Sequence, residues 1–164
     1  MHFSYCPFCG EKLVHKEIGD EGLIPYCNAC QIPLWDMFTT SIICAVVNEY
    51  REIALLRQNY VNTTQCICLA GIMKIGESAE ETAIREVKEE IGQEVESLEF
   101  IKTYAYDKKE MLMIGYKANV KKRPFKISRE VDAVEWVPYD KALGKIREGS
   151  IAWQLVKAVI DSDK

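Results

Sequence analysis

Residues 71–92 read GIMKIGESAEETAIREVKEEIG, and no other stretch narrows the fold of this chain as far. Ser78 with Glu81 forms an S-x-x-E capping box, which predicts a helix starting near Ala79. Gly92 predicts its end, because glycine accepts the left-handed conformation just past a helix. Between them Ala83, Ile84, Val87 and Ile91 form the expected apolar stripe. Glu86, Glu89 and Glu90 fall at i, i+3 and i+4 on another face, read as an exposed corner. Three adjacent carboxylates repel one another unless a cation sits among them. Hard cations such as Mg²⁺ take oxygen ligands, and phosphate oxygens complete their shell. A solvated acidic helix face explains glutamates in general. It does not explain the glycine, the lone arginine and their offsets together.

The cysteines are the second signal. Cys6-Pro7-Phe8-Cys9 and Cys27-Asn28-Ala29-Cys30 are paired C-x2-C knuckles, the spacing with which four thiolates hold one tetrahedral zinc. Disulfides fit poorly, since MHFSYCPFCG has no basic segment followed by an apolar one, and the expected location is the cytoplasm. A redox C-x-x-C normally comes singly. A closed four-cysteine site leaves no open position for substrate, so this zinc is expected to be structural. His2 and His15 are then surplus and expected to be exposed. Cys44, Cys66 and Cys68 lie in strand-like runs and read as buried, inert thiols.

With 164 residues, 48% of them hydrophobic, the chain can hold one cored domain plus a small module. The net charge of −4 argues against general binding to a phosphate backbone. No apolar run approaches the roughly 20 residues of a membrane-spanning helix, so no membrane partner is expected. Residues 1–36 read as the cysteine module, too small for a core without metal, and 37–164 as the second domain. There, 39–47 and 52–58 read as a hairpin, 65–71 as a strand leading to Gly71, 97–106 and 110–120 as a second strand pair, and 131–138 as the last strand. Two helices are expected near 139–147 and 150–161. Lys117, Lys121, Lys122, Arg123, Lys126 and Arg129 crowd one segment. Without interleaved aromatics this reads as a solvated strand end and loop rather than an RNA patch.

The pattern G-x5-E-x7-R-E-U-x-E-E-x-G-U, with U a bulky aliphatic residue, is the Nudix box. This chain supplies Gly71, Glu77, Arg85, Glu86, Val87, Glu89, Glu90 and Gly92, and departs only at Gln93. With the four-cysteine ribbon before it, the chain resembles the NADH pyrophosphatases, also known for removing NAD caps from RNA. The resemblance implies an α/β (α+β) fold, the Nudix α/β/α sandwich with a mixed sheet, preceded by a zinc ribbon. It implies that Glu86, Glu89, Glu90 and Glu130, with the Ala70 carbonyl, hold Mg²⁺ or Mn²⁺. Arg85 is expected to brace the glutamates through Glu77 and Glu89. Ala152, in GSIA at 149–152, is implied as a substrate contact. The family has a substrate-facing tyrosine just after its ribbon, so Trp35 is implied as a substrate-binding residue there, with packing between ribbon and domain as the alternative. Ile72 replaces a base-stacking phenylalanine. The stretch 102–112 lacks the family's proline-rich nicotinamide-nucleotide signature, leaving Tyr104 and Tyr106 as other stacking partners.

The function so implied is metal-dependent hydrolysis of the diphosphate linkage in a nucleoside diphosphate derivative, of the NADH or NAD kind or like ADP-ribose. Glu89, Glu90 and Glu130 are alternatives for the base. The competing expectation is a nucleotide-sensing or RNA-binding zinc-ribbon protein with a weak or vestigial site. The expected partner is a small nucleotide, and RNA and a second copy of the chain are left open.

Overall fold

The computed structural model describes residues 2–58 and 62–163, and of 62 and 63 the backbone alone. The chain divides into two compact units, Met1–Thr39 and Thr40–Lys164. The first carries a three-stranded antiparallel sheet of β1 (Val14–Glu17), β2 (Leu23–Cys27) and β3 (Ile32–Pro33). The first knuckle closes through Gly10, whose φ of 76° is in the left-handed region and whose N–H donates to the Cys6 carbonyl at 2.9 Å. Its buried apolar core consists of Cys6, Cys27 and Leu34, with Phe3, Leu13, Cys30 and Ile32 packed at the edge. So small a core needs a further tie to stay folded.

The second unit is a seven-stranded mixed sheet between two helical layers. Its strands are β4 (Thr39–Asn48), β5 (Glu52–Gln58), β6 (Asn62–Ile67), β7 (Leu69–Ile72), β8 (Val95–Tyr106), β9 (Met111–Val120) and β10 (Ala133–Pro138), and the central order is β10-β5-β4-β9-β8. The run TTSIICAVV is apolar at nearly every place because β4 is buried on both faces. Ile43, Ala45 and Val47 join one core with Leu155, Val156 and Val159 of helix α3 (Ile151–Ser162) and Ala142 of α2 (Tyr139–Lys145). Ile42, Cys44 and Val46 join the other with Ala83, Val87 and Ile91 of α1 (Ala79–Ile91). The period of two along a strand thus sorts one sequence run into two cores. At about 25 cal/mol per Å² of apolar surface, these two cores are what hold the unit together.

The stretch read as one strand at 65–71 is two. β6 pairs with β5, and β7 pairs with β4, so the chain changes neighbours at Cys68. The last strand starts at Ala133 rather than 131, because Ser128–Val131 forms a turn with Val131 N–H on the Ser128 carbonyl. Cys44, Cys66 and Cys68 are buried, and burial pushes the Cys68 thiol up to about 12. Lys117, read from sequence as solvated, is buried and donates to Asp163 at 2.5 Å. Tyr139 donates to the same carboxylate at 2.6 Å, which ties the end of α3 to the sheet.

Candidate active site

Helix α1 begins with the full capping box, and Gly92 ends it with φ 68° and its N–H on the Lys88 carbonyl. Its inner face carries Ala83, Val87 and Ile91, as the period predicts. Ile84 does not follow: it is 45% exposed, and Thr82 is buried in the adjoining position. The single proton of the Thr82 hydroxyl has two acceptors, Glu77 Oε2 and the Ser78 carbonyl, both at 3.0 Å, so its burial leaves the hydroxyl paired.

Arg85 is the hub of the corner. Its Nε and Nη2 grip the two oxygens of Glu77 at 2.7 and 2.8 Å, while Nη1 reaches Glu86 at 2.7 Å and Glu89 at 3.1 Å. A forked guanidinium is suited to this bidentate hold. The hydrogen bond from Arg85 holds the Glu77 carboxyl at about 2, well below the usual range. One loop residue is thereby locked to the helical turn that spans residues 85–89.

Strand β7 brings Gly71 under this array. Ser41 Oγ donates to the Gly71 carbonyl at 2.8 Å, and Ala70 lies opposite Ile43 in the β4–β7 ladder. A Cβ on Gly71 would fall inside the Glu86 side chain. The glycine is required by that close approach of a carboxylate, not by its backbone angles.

Glu90 corrects the sequence reading. It is not exposed but buried, at 5% accessibility, and among the described residues its Oε2 has no hydrogen-bond partner. Burial pushes its pKa up to about 7, with further contributions from the charges of Glu86, Glu130 and Glu89. Glu130 reaches this corner from far along the chain, because the segment before it docks on the end of α1 with Ser128 N–H on the Glu90 carbonyl at 3.0 Å. A buried carboxylate with an unpaired oxygen and carboxylates around it is unfavourable without a cation. The donor set is oxygen only, which suits Mg²⁺ or Mn²⁺.

The other residues singled out from sequence are dispersed. Ile72 follows Gly71 and is 58% exposed. Ala152 is half-buried in the first turn of α3, and its carbonyl lies 4.0 Å from Cys68 Sγ. Trp35 belongs to the first unit and is 48% exposed. Tyr104 is buried for most of its surface and helps to line a shallow groove of about 290 Å³ with Lys102, Trp153, Gln154 and Lys157. In the basic segment, Lys122 pairs with Glu52 at 2.6 Å and Arg123 with Glu94 at 2.7 Å.

In the first unit the ligand sulfurs of Cys6, Cys9, Cys27 and Cys30 all lie within 4.8 Å of one another. The Cys6–Cys30 and Cys9–Cys27 pairs are 3.9 and 3.5 Å apart. A tetrahedron with zinc–sulfur bonds of about 2.3 Å has edges of about 3.8 Å, so the cluster is compatible with structural zinc.

Residues 37–158 match the family model of the NUDIX domain. The chain belongs to the Nudix family. Its similarity to the NAD-capped RNA hydrolase NudC of Pseudomonas aeruginosa is 28% identity over 156 residues, covering 94% of this chain and 55% of that protein. The chain thus spans little more than half the length of that relative. A crystal structure of a Nudix hydrolase from Nitrosomonas europaea superposes with a TM-score of 0.69 at 16% identity, covering 96% of this chain and 89% of that one. The Nudix domain of Shewanella oneidensis NrtR, crystallised with ADP ribose, gives the same TM-score at 14% identity, covering 85% of this chain and 94% of its own. The Nudix fold expected from the box is therefore the fold found. No helix among the described residues is long and apolar enough to cross a membrane.

Proposed function

We propose that the chain hydrolyses the diphosphate linkage of a nucleoside diphosphate derivative, an NAD-like dinucleotide or an ADP-ribose-like compound. The observation that carries this reading is the buried Glu90, one oxygen unpaired, with Glu86, Glu89 and Glu130 near enough for their charges to act on it. Membership of the Nudix family supports it, as do the likeness to an NAD-capped RNA hydrolase and the ADP-ribose complex of a Nudix neighbour. A sensor with a vestigial box is not favoured, since every box carboxylate and the bracing arginine are present.

In this reading Glu86, Glu89, Glu90 and Glu130, with the Ala70 carbonyl, would hold Mg²⁺ or Mn²⁺. A divalent cation there supplies charge neutralisation for the diphosphate oxygens and lowers the pKa of a bound water. Arg85 keeps Glu86 and Glu89 in place, so the carboxylates need not reorganise as charge develops. Water attacks one phosphorus, the bridging P–O bond breaks, and two phosphomonoesters leave. Glu89 and Glu130, the solvent-facing carboxylates, are the candidates to accept the water's proton, while buried Glu90 serves the cation. The four cysteines of the first unit hold a structural zinc.

Specificity must come from contacts beyond the diphosphate. Stacking on an aromatic contributes about 1–3 kcal/mol per base, and Ile72 forgoes it where the family places phenylalanine. NADH hydrolysis is therefore expected to be modest, with at least one other substrate cleaved comparably. The test is a panel of NADH, NAD⁺, ADP-ribose, Ap-n-A compounds, FAD, CoA and NAD-capped RNA with Mg²⁺ or Mn²⁺, read as phosphomonoester release. Hydrolysis of none of these would overturn the proposal, and a preference for NADH by several orders of magnitude would overturn the specificity argument.

A further inference from the structure

Gln93 stands at the one place where the chain departs from the box, and it is fully buried. A buried primary amide is tolerated only when its donors and acceptor are used. Here Oε1 accepts from the Arg123 N–H at 3.3 Å, and the two hydrogens of Nε2 are shared among the carbonyls of Arg123 at 3.2 Å, Pro124 at 3.4 Å and Ile91 at 3.5 Å. The amide therefore joins two pieces of chain some 30 residues apart. An aliphatic residue, the box's usual occupant, could make none of these bonds.

The joined segment then follows the end of α1. Lys126 N–H donates to the Ile91 carbonyl at 3.1 Å and Ser128 N–H to that of Glu90 at 3.0 Å. These are carbonyls that a helix end leaves without intrahelical partners. Gly92 permits the approach, since a Cβ there would lie 2.6 Å from Lys126 Cβ. On the other side Phe125 stacks on Trp136 with ring centroids 4.9 Å apart. Ser128 Oγ then accepts the Glu130 N–H at 3.2 Å, and Val131 is buried in the core beneath α1.

We propose that Gln93 is a positioning residue that locks the Arg123–Ser128 segment onto the end of α1 and thereby delivers Glu130 to the glutamate corner. The inference rests on the reading of that corner as a cation site. Without the amide, the segment keeps its aromatic stack and the Lys126 and Ser128 backbone bonds to α1, but those bonds then hold it alone and open more readily. Glu130 would then sample positions away from Glu90 while Glu86 and Glu89, held by Arg85, stay in place.

The experiment compares wild type with Gln93→Leu, Glu130→Gln and the double variant, and uses Gln93→Met as the second amide-free variant if the leucine one folds poorly. Hydrogen exchange at the Lys126 and Ser128 amides, measured without Mg²⁺ or Mn²⁺, reads the lock alone. Mn²⁺ affinity reads its consequence. Exchange should speed up tenfold or more in the Gln93 variants and stay unchanged in Glu130→Gln. Mn²⁺ affinity should fall in Gln93→Leu, and adding Glu130→Gln should weaken it no further than Glu130→Gln alone. Unchanged exchange in the Gln93 variants, or fully additive losses of affinity, would overturn the proposal. If wild type binds no Mn²⁺ while exchange responds, the lock stands, but the proposal fails at the delivery of Glu130, together with the reading of the corner.

Discussion

The four cysteines hang from two short turns in a unit whose buried apolar core is three residues, whereas the glutamates hang from a helix held by a large core before any ion is considered. In the first cluster the sulfurs already lie within 4.8 Å of one another, at separations close to the edge length of a zinc tetrahedron. In the second, Arg85 fixes three carboxylates from one side, and a fourth is buried with an oxygen unpaired. The comparison teaches which way the dependence would run on the proposed reading. The small unit would need its ion in order to fold, whereas the large unit would fold first and hold a buried carboxylate ready for one.

Removing the thiolate-bound ion should produce the largest effect. Apparent binding energies of structural zinc reach about 10–16 kcal/mol, and in so small a unit that is folding energy. Cys27→Ser, or a strong chelator, should unfold the first unit while the amides of β4 and α1 remain protected from exchange. Loss of protection in both units together would break the comparison.

Next in size is Glu90→Gln. The amide keeps the shape and loses the charge, so turnover should fall roughly 10²–10³-fold with the fold intact, as read by initial rates and a thermal melt. Near-normal turnover would place the cation elsewhere.

Gly71→Ala sharpens the comparison from the backbone side. The added methyl would meet the Glu86 side chain, an overpacking that typically costs about 1–3 kcal/mol. Glu86 should swing out, and Mn²⁺ affinity should drop more than the melting temperature does. A melt that drops while Mn²⁺ affinity holds would mean that Glu86 is not used.

The smallest effect is in pH. Burial raises Glu90 in the folded chain from its ordinary 4.5 to about 7, so the native state binds the extra proton. The Glu90 contribution to stability without Mg²⁺ or Mn²⁺ should therefore be fullest below about 4.5 and be lost as pH rises toward 7, whereas the depressed Glu77 carboxyl acts in the opposite sense below about 4.5. The charges of Glu86, Glu130 and Glu89 face the same group, and Arg85 is engaged with Glu77, Glu86 and Glu89. Glu90→Gln should flatten this part of the melting profile. An unchanged slope would mean that Glu90 is not the group responsible.

Much of this was legible before the structure, for reasons that differ by region. Both ends of α1 were readable because capping chemistry is local: Ser78, Glu81 and Gly92 act within a turn of the helix they delimit. The cysteine cluster was readable because each pair of ligands is four residues long. The burial of Glu90 is hidden by its grouping with Glu86 and Glu89, although helical period places it seven residues after Ala83 and three after Val87, on the buried face of α1. Gln93 looked like a flaw in a pattern, because its partners lie 30 residues on. Lys117 read as one of a basic run, while its partner Asp163 sits at the far end of the chain. The break at Cys68 was hidden because both halves of the run are equally strand-like and differ only in their neighbours.

The most direct measurement is a Mn²⁺ titration followed by electron paramagnetic resonance on zinc-loaded protein, wild type beside Glu90→Gln. The account predicts exchangeable Mn²⁺ bound by the wild type, greatly weakened binding in the variant, and the same retained zinc in both. Equal Mn²⁺ binding by the two proteins, or zinc lost on the glutamate substitution, would contradict it.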